Sequence, residues 1–263
     1  MSLNLQRLET ALATLQALNP LENLIPRFTP TVANSPQSFH IQLFDILPST
    51  NQTLWEMTSA AAPPGTVVIA VQQTAGRGQR GRVWQSQPGG LYLSWVIHPN
   101  LTVNPAQLTL CSAWGIAVML RDRQIPVQLK WPNDLLLQDR KLGGILTETK
   151  VAQGKITHAV IGVGINWVNP TPDTGINLKT FWIQNPETAT IQSLELLAAL
   201  TLWGLNLGWQ ALSQRGIEPI LAPYWELLHS NSRLAAIEAG ATMGINLPPN
   251  GVLPTRKKLN RQF

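Results

Sequence analysis

The segment from Ala70 to Gly90 reads AVQQTAGRGQRGRVWQSQPGG, and it limits what the chain can fold into more than any other stretch. Seven residues, Gly76–Arg82, hold three glycines and three arginines. Upstream, TVVIAVQ (Thr66–Gln72) is β-branched and apolar, the composition of a buried strand. Downstream, GLYLSWVIHP (Gly90–Pro99) reads as another strand. A sheet must therefore carry, between two of its strands, a loop with wide backbone freedom and strong positive charge. Three uses for such a loop are open: cradling a nucleotide's phosphates, gripping nucleic acid, or turning in solvent.

Helices and short strands fill the rest of the chain. Leu5, Leu8, Leu12, Leu15 and Leu18 recur at helical spacing and predict a helix over 3–18, stopped by Asn19-Pro20. Pro26, Pro30 and Pro36 make the next stretch irregular. Phe39–Leu47 predicts a strand. Ser49 with Gln52, or Thr53 with Glu56, has capping-box spacing, which predicts a helix from there to about Ala61. Residues 106–123 predict a long helix with an apolar face. VQLKW, DLLLQ and LGGILTETK predict a meander of short strands, turning at Pro132-Asn133 and at Asp139-Arg140. ITHAVIGVGINW is the last strong strand, and 191–212 and 216–230 read as helices. This order predicts an α+β fold, a mixed β-sheet backed by helices, in preference to strict βαβ winding.

Composition removes several function classes. With 263 residues, 44% hydrophobic and 13% charged, the chain can bury a substantial core. Its single cysteine, Cys111, excludes an intrachain disulfide, fits a reducing compartment, and lies inside an apolar helical pattern. No apolar run approaches the roughly 18 residues of a membrane span, and the N-terminus has no unbroken apolar core of a signal peptide. A soluble, cytoplasmic protein without membrane contact is expected. Four cations of the C-terminal tail, Arg256, Lys257, Lys258 and Arg261, account for all but one of the five net positive charges. The basicity is local, not the broad stripe of a general nucleic-acid surface. His40, His98, His158 and His229 show no metal-ligand spacing.

Gly76–Gly81 fits GxGxxG literally, but no helix follows it to offer its N-terminus to a pyrophosphate. A P-loop fails as well, because Arg82-Val83 stands where Lys-Ser/Thr belongs. The loop's chemistry survives without either motif. Glycines let backbone N–H groups approach an anion, arginines offer forked donors, and Trp84 is placed to cover a purine. Two further stretches are unusual. In Lys130-Trp131-Pro132-Asn133-Asp134, followed by Asp139-Arg140-Lys141-Leu142-Gly143-Gly144-Ile145, two lysines flank a carboxylate across a hairpin. That set suits Mg²⁺ held by carboxylate and phosphate oxygens, with lysine on developing negative charge, or a solvated surface pair. In Gly162-Val163-Gly164-Ile165-Asn166, glycines inside a strand mark a close approach by a ligand or by tight sheet packing.

Taken together, PSTN (Pro48–Asn51), QTAGRGQRGRVW (Gln73–Trp84), GGLYLS (Gly89–Ser94), KWPNDLLL (Lys130–Leu137), DRKLGGIL (Asp139–Leu146) and VIGVGIN (Val160–Asn166) resemble the biotin protein ligases, in the family's order. The resemblance covers about Asp45 to Asn166. It implies the mixed sheet of the class II aminoacyl-tRNA synthetase and biotin ligase type. It also implies a C-terminal SH3-like segment, here short and either truncated or replaced. Domain limits follow: an N-terminal extension over 1–38, the catalytic domain over 39–222, and a short C-terminal domain or remnant with the basic tail over 223–263.

The resemblance further implies a two-step reaction. Biotin and ATP with Mg²⁺ give biotinyl-AMP and pyrophosphate; a lysine of a biotin carboxyl carrier protein, usually that of acetyl-CoA carboxylase, then takes the biotinyl group and AMP leaves. Residue by residue it assigns Arg77 and Lys141, with Lys130, to the charge of the reacting groups. Ser49, Thr50 and Gln73 go to the ureido ring, Asn51 to the ligand site, and Trp84 to the adenine. Gly76, Gly78, Gln79, Arg80, Gly81 and Arg82 form the covering loop. Asn133 and Asn166 lie near the adenylate, and Gly144, Gly162 and Gly164 belong to the ligand site. Asp134 falls near the reaction centre, as metal ligand and as the acid that orients the incoming lysine. Gln79 stands where many members have arginine, which implies looser retention of the adenylate. Members that repress transcription carry a winged helix-turn-helix ahead of this domain. The first 40 residues offer one helix, so sequence-specific DNA binding is not expected. A monomer or weak homodimer is expected. A lipoate or octanoate ligase of the same architecture, and a biotin binder without turnover, are the alternatives.

Overall fold

A computed structural model describes residues 3–18, 38–243, 245 and 247. Its centre is a seven-stranded sheet built from β1 (His40–Leu47), β2 (Thr66–Gln73), β3 (Leu91–Ile97), β4 (Gln128–Lys130), β5 (Asp134–Leu137), β6 (Arg140–Ala152) and β7 (Lys155–Ile165). The order across the sheet is β1-β2-β3-β7-β6-β5-β4. Only β1 and β2 run parallel. A parallel pair needs a crossover, which α2 (Thr50–Ser59) supplies. The mixed sheet backed by helices is thus observed.

Strand β3 is buried along its whole length, as its apolar run LYLSWVI requires. One face of the sheet is covered by α3 (Pro105–Asp122) and α5 (Leu194–Arg215). These two helices touch backbone to backbone, because Gly115 of one meets Gly204 and Gly208 of the other. Asn104 caps α3 through Ala106 N–H, and Ser193 caps α5 through Leu196 N–H. Cys111 sits inside this core, and burial pushes its thiol up, away from reactivity. On the other face Leu54 of α2 packs with Leu47, Val68, Val96 and Val160. Each such side chain contributes roughly 1.5–3 kcal/mol by leaving water.

Three local expectations change. Helix α2 begins where the capping-box spacing put it, but Ser49 makes no side-chain cap bond; Thr50 N–H donates instead to Gln73 Oε1 at 2.8 Å. The β5–β6 turn is one residue earlier than read, at Gln138-Asp139, where both φ angles are positive (51° and 59°). Two helices went unforeseen, α4 (Leu178–Gln184) and α7 (Arg233–Thr242), both short, of seven and ten residues. The N-terminal helix α1 (Leu5–Leu18) packs on α5 and seats Leu8 and Leu15 in the main core. After α6 (Glu218–Leu227), Leu228 pairs with Leu129 at the β4 edge and Tyr224 and Trp225 are buried. Of the expected C-terminal segment 223–263, the described part to Met243 is helical; the turn at Pro248-Pro249-Asn250-Gly251 and the basic tail lie outside the described residues, as does the proline-rich stretch after α1. Among the described residues no helix is long and apolar enough to cross a membrane.

Candidate active-site cleft

The chain leaves β2 at Gln73 and does not cross directly to β3. Residues 76–84 fold back as a small tongue: Arg77 bridges Val83, Gly78 N–H donates to Arg82 O at 2.7 Å, and Trp84 N–H donates to Gly76 O at 2.9 Å. The tip turns through Arg80 (φ 57°) and Gly81 (φ 74°). Any side chain at Gly76 would strike Trp84 O and Ser86 Oγ. Tyr92 steadies the return, its hydroxyl donating to Gln87 O at 2.6 Å, and burial raises its phenol so that it stays a donor.

Beneath the tongue lies a cleft of about 500 Å³. One end is a buried polar network. Gln73 Oε1 accepts from Thr50 N–H and lies 3.1 Å from Thr50 Oγ1; its Nε2 donates to Ser86 Oγ at 2.7 Å. Ser94 Oγ donates to Asn51 Oδ1 at 2.6 Å and lies 2.8 Å from Thr50 Oγ1. Asn51 Nδ2 donates to Glu148 Oε2 at 2.9 Å. Thr50, Asn51 and Ser94 are buried, so these bonds fix their side chains in single orientations; Ser49 is buried as well.

The other end is ionic. Lys141 Nζ lies 2.7 Å from Asp134 Oδ1 and 5.3 Å from the centre of the Trp84 ring. Arg77 Nη2 donates to Glu148 Oε1 at 2.6 Å. The Lys141 backbone is clamped from both sides by the 174–176 segment: its N–H donates to Thr174 O, and its carbonyl accepts from Ile176 N–H. The strand glycines now have a cause. A side chain at Gly162 would occupy the place of Asn51's amide, and one at Gly164 that of the Trp84 indole. The close approach read from Gly162-Val163-Gly164 is made by side chains of the site itself. At Gly144 a Cβ would make only ordinary contacts with Asp134 and Lys141.

A sequence model of the biotin/lipoate A/B protein ligase family matches residues 43–166. The biotin–[acetyl-CoA-carboxylase] ligase of Paracoccus denitrificans is 31% identical over 180 residues, which are 59% of this chain and 73% of that one. The chain belongs to the biotin/lipoate A/B protein ligase family. The bifunctional ligase/repressor BirA of Bacillus subtilis is 39% identical over 137 residues, 51% of this chain and 42% of that protein. This chain spans less than two thirds of the length of the ligase/repressor relatives it matches. The fold matches the biotin protein ligase of Aquifex aeolicus in complex with biotin and ATP, with a TM-score of 0.61, 26% identity, and coverage of 72% of this chain and 78% of that one.

Most residues singled out in the sequence line the ligase-family cleft: Ser49, Thr50, Asn51, Gln73, Arg77, Gly78, Gln79, Arg80, Arg82, Trp84, Lys130, Asn133, Asp134, Lys141, Gly144, Gly162 and Gly164. Gly76, Gly81 and Asn166 do not. The two glycines shape the tongue. Asn166 is used up as a brace, its Nδ2 donating to Lys141 O and Ile176 O and its Oδ1 accepting from Asn169 Nδ2. It borders a smaller adjoining cavity of about 210 Å³, shared with Trp84 and Lys141. Asn133 is pinned by its Nδ2 to Ile145 O.

Sequence reading passed over Glu148, Ser86, Ser94 as a hydrogen-bonding group, and the wall formed by Ala235, Ala239 and Met243 of the α7 region. Glu148 had a signal: period 2 puts Gly144, Leu146 and Glu148 on one face of β6. Among the described residues no group of three or more His, Cys, Asp or Glu is gathered that could hold a metal by itself. Asp134 is a single carboxylate in the cleft, a donor set that fits Mg²⁺ arriving on a nucleotide's phosphates and not a resident ion.

Proposed function

We propose that the chain is an ATP-dependent biotin protein ligase, which activates biotin as biotinyl-5′-AMP and transfers it to a lysine of a biotin carboxyl carrier protein. The observation that supports this most is the pairing, at one cleft, of a buried amide-and-hydroxyl network with the ion pairs Lys141–Asp134 and Arg77–Glu148. A ureido ring needs fixed donors and acceptors in a slot that is otherwise apolar. Ser49, Thr50, Asn51 and Gln73 offer them, with Ser94 fixing Thr50 and Asn51. The carboxylate at the far end of biotin's chain then falls among Arg77, Lys141 and Lys130.

Joining a carboxylate to a nucleotide phosphate brings two anions together, and fixed cations in a cleft with restricted water offset that repulsion. Arg77 and Lys141 carry that role. Trp84 covers the adenine, with Asn133 and Asn166 holding the segments around it. Asp134 would hold Mg²⁺ brought in with ATP, and the ion would supply charge neutralisation for the leaving pyrophosphate. In the second step Asp134 orients the carrier's lysine, whose ordinary pKa of about 10.4 keeps it protonated at neutral pH, and accepts its proton; the amine then attacks the biotinyl carbonyl, the amide bond forms and AMP leaves. The tongue closes over both steps and excludes water from the adenylate. The protein acts in the cytoplasm on the carrier of acetyl-CoA carboxylase, as a monomer or weak homodimer, with residues 39–222 as the catalytic domain.

Pyrophosphate release from ATP-Mg, measured with biotin and with lipoate as the acid, tests the reading. Release that needs biotin and ignores lipoate is expected. Release with lipoate alone would move the chain to the other branch of the family, and release with neither would refute ligase activity.

A further inference from the structure

Glu148 takes no part in the reaction as proposed, yet both halves of the cleft are tied to it. Its Oε1 accepts from Arg77 Nη2 at 2.6 Å. Its Oε2 accepts from Asn51 Nδ2 at 2.9 Å, with Arg77 Nη1 at 3.4 Å. The forked contact from guanidinium to carboxylate is the one that a substrate carboxylate or phosphate would demand of Arg77. The two therefore compete for the same N–H groups. The pair is also exchangeable: the Arg77 side chain is 46% exposed and that of Glu148 24%, so water and salt weaken the bond.

We infer that Glu148 is the resting counter-anion of Arg77, a positioning residue that holds the guanidinium in the cleft until an anionic group of the substrate takes its place. This rests on the ligase reading. The tongue's arginine is kept from wandering, and it is released only to a group that replaces the lost charge. Glu148 also opposes every anion that enters, so the cleft holds a carboxylate less tightly than its cations alone allow. A neutral ligand that uses only the polar network is indifferent to this charge.

Glu148→Gln separates charge from shape. The amide oxygen still accepts from Asn51, and the side chain keeps its length. Dissociation constants of biotin and of its primary alcohol, in which CH2OH replaces the carboxylate, are measured by calorimetry on the full chain. Biotin should tighten by roughly two- to fivefold in the variant, the scale of one partly exposed charge pair, while the alcohol stays the same. Glu148→Asp, which keeps the charge, should retain the wild-type ratio of the two constants. Equal weakening of both ligands would reduce Glu148 to a structural part, and weakening of biotin alone would make it a support for Arg77 on the ligand; either overturns the inference. A wild-type chain that binds neither ligand overturns the ligase reading first. One that binds both, with a ratio that Glu148→Gln leaves unmoved, overturns this inference alone.

Discussion

At one end of the cleft, Thr50, Asn51, Gln73 and Ser94 are bonded to one another in a buried network. At the other, Lys141 and Arg77 rest on Asp134 and Glu148, partly open to water. The first end is finished before any ligand arrives. Its donors and acceptors are held on β2, β3 and the first turn of α2, so recognition there costs little reordering. The second end is provisional. Its cations satisfy themselves on the protein's own carboxylates and must be transferred to a substrate. On the proposed function, recognition is thus built on the sheet, and charge for the chemistry on a hairpin and a tongue that can exchange partners.

Removing a cation should give the largest effect. Lys141→Ala leaves the network intact and should lower kcat for adenylate formation by about 10²–10³-fold, the cost of losing one group aimed at developing charge, with biotin affinity much less affected. Equal losses in both would erase the distinction between the ends. Next, Gly162→Ala drives a methyl group against the Asn51 amide. Biotin binding should weaken by roughly tenfold, within the 1–3 kcal/mol of an overpacked contact, and Gly144→Ala should cost less. Titration of both variants with biotin decides this.

Ser94→Ala takes the donor from Asn51 Oδ1 in a buried setting. It should destabilise the fold by about 1–3 kcal/mol in denaturant unfolding, and raise KM for biotin with kcat kept. Gln79→Arg adds a cation to the exchanging end and should slow release of biotinyl-AMP severalfold; an unchanged release rate would detach the tongue's charge from retention. The smallest effect lies outside both ends. His98, beside His158 with ring centres 4.3 Å apart, has its pKa lowered, first by burial and then by His158. The folded state therefore favours the neutral ring. Its contribution to stability is present above the unfolded pKa near 6.5 and is lost as pH falls through the lower folded value. Thermal melting should show a slight loss on acidification that His98→Gln removes.

The cations of the exchanging end were legible from the residues themselves, whereas Thr50, Asn51 and Gln73 at the finished end came only with the family resemblance. Arginines between glycines, and two lysines around Asp134, break the local pattern of apolar strands and so draw notice. The hairpin at Lys130–Lys141 was legible because Pro132, Asn133 and Asp139 mark turns by their own backbone preferences. Ser94 was harder to see as a site group, since a serine inside LYLSWVI looks like an ordinary strand residue until α2 crosses above it. Glu148 was missed for the same reason: its partners, Asn51 and Arg77, lie 97 and 71 residues away. Asn166 shows the reverse. It has the family's residue at the right place, yet here its amide is committed to the backbone of Lys141 and Ile176. Helix α7 carries a weak apolar period, and only the cleft it borders gives it meaning.

The activity proposed for this cleft is activation of biotin and its transfer to a carrier lysine. Its most direct test is mass spectrometry of a biotin carboxyl carrier domain incubated with the protein, biotin and ATP-Mg. One added biotinyl group, absent without ATP, absent when the carrier's lysine is replaced, and strongly slowed by Lys141→Ala, is the predicted result. A carrier that gains no mass, with no biotinyl-AMP formed, would contradict the account.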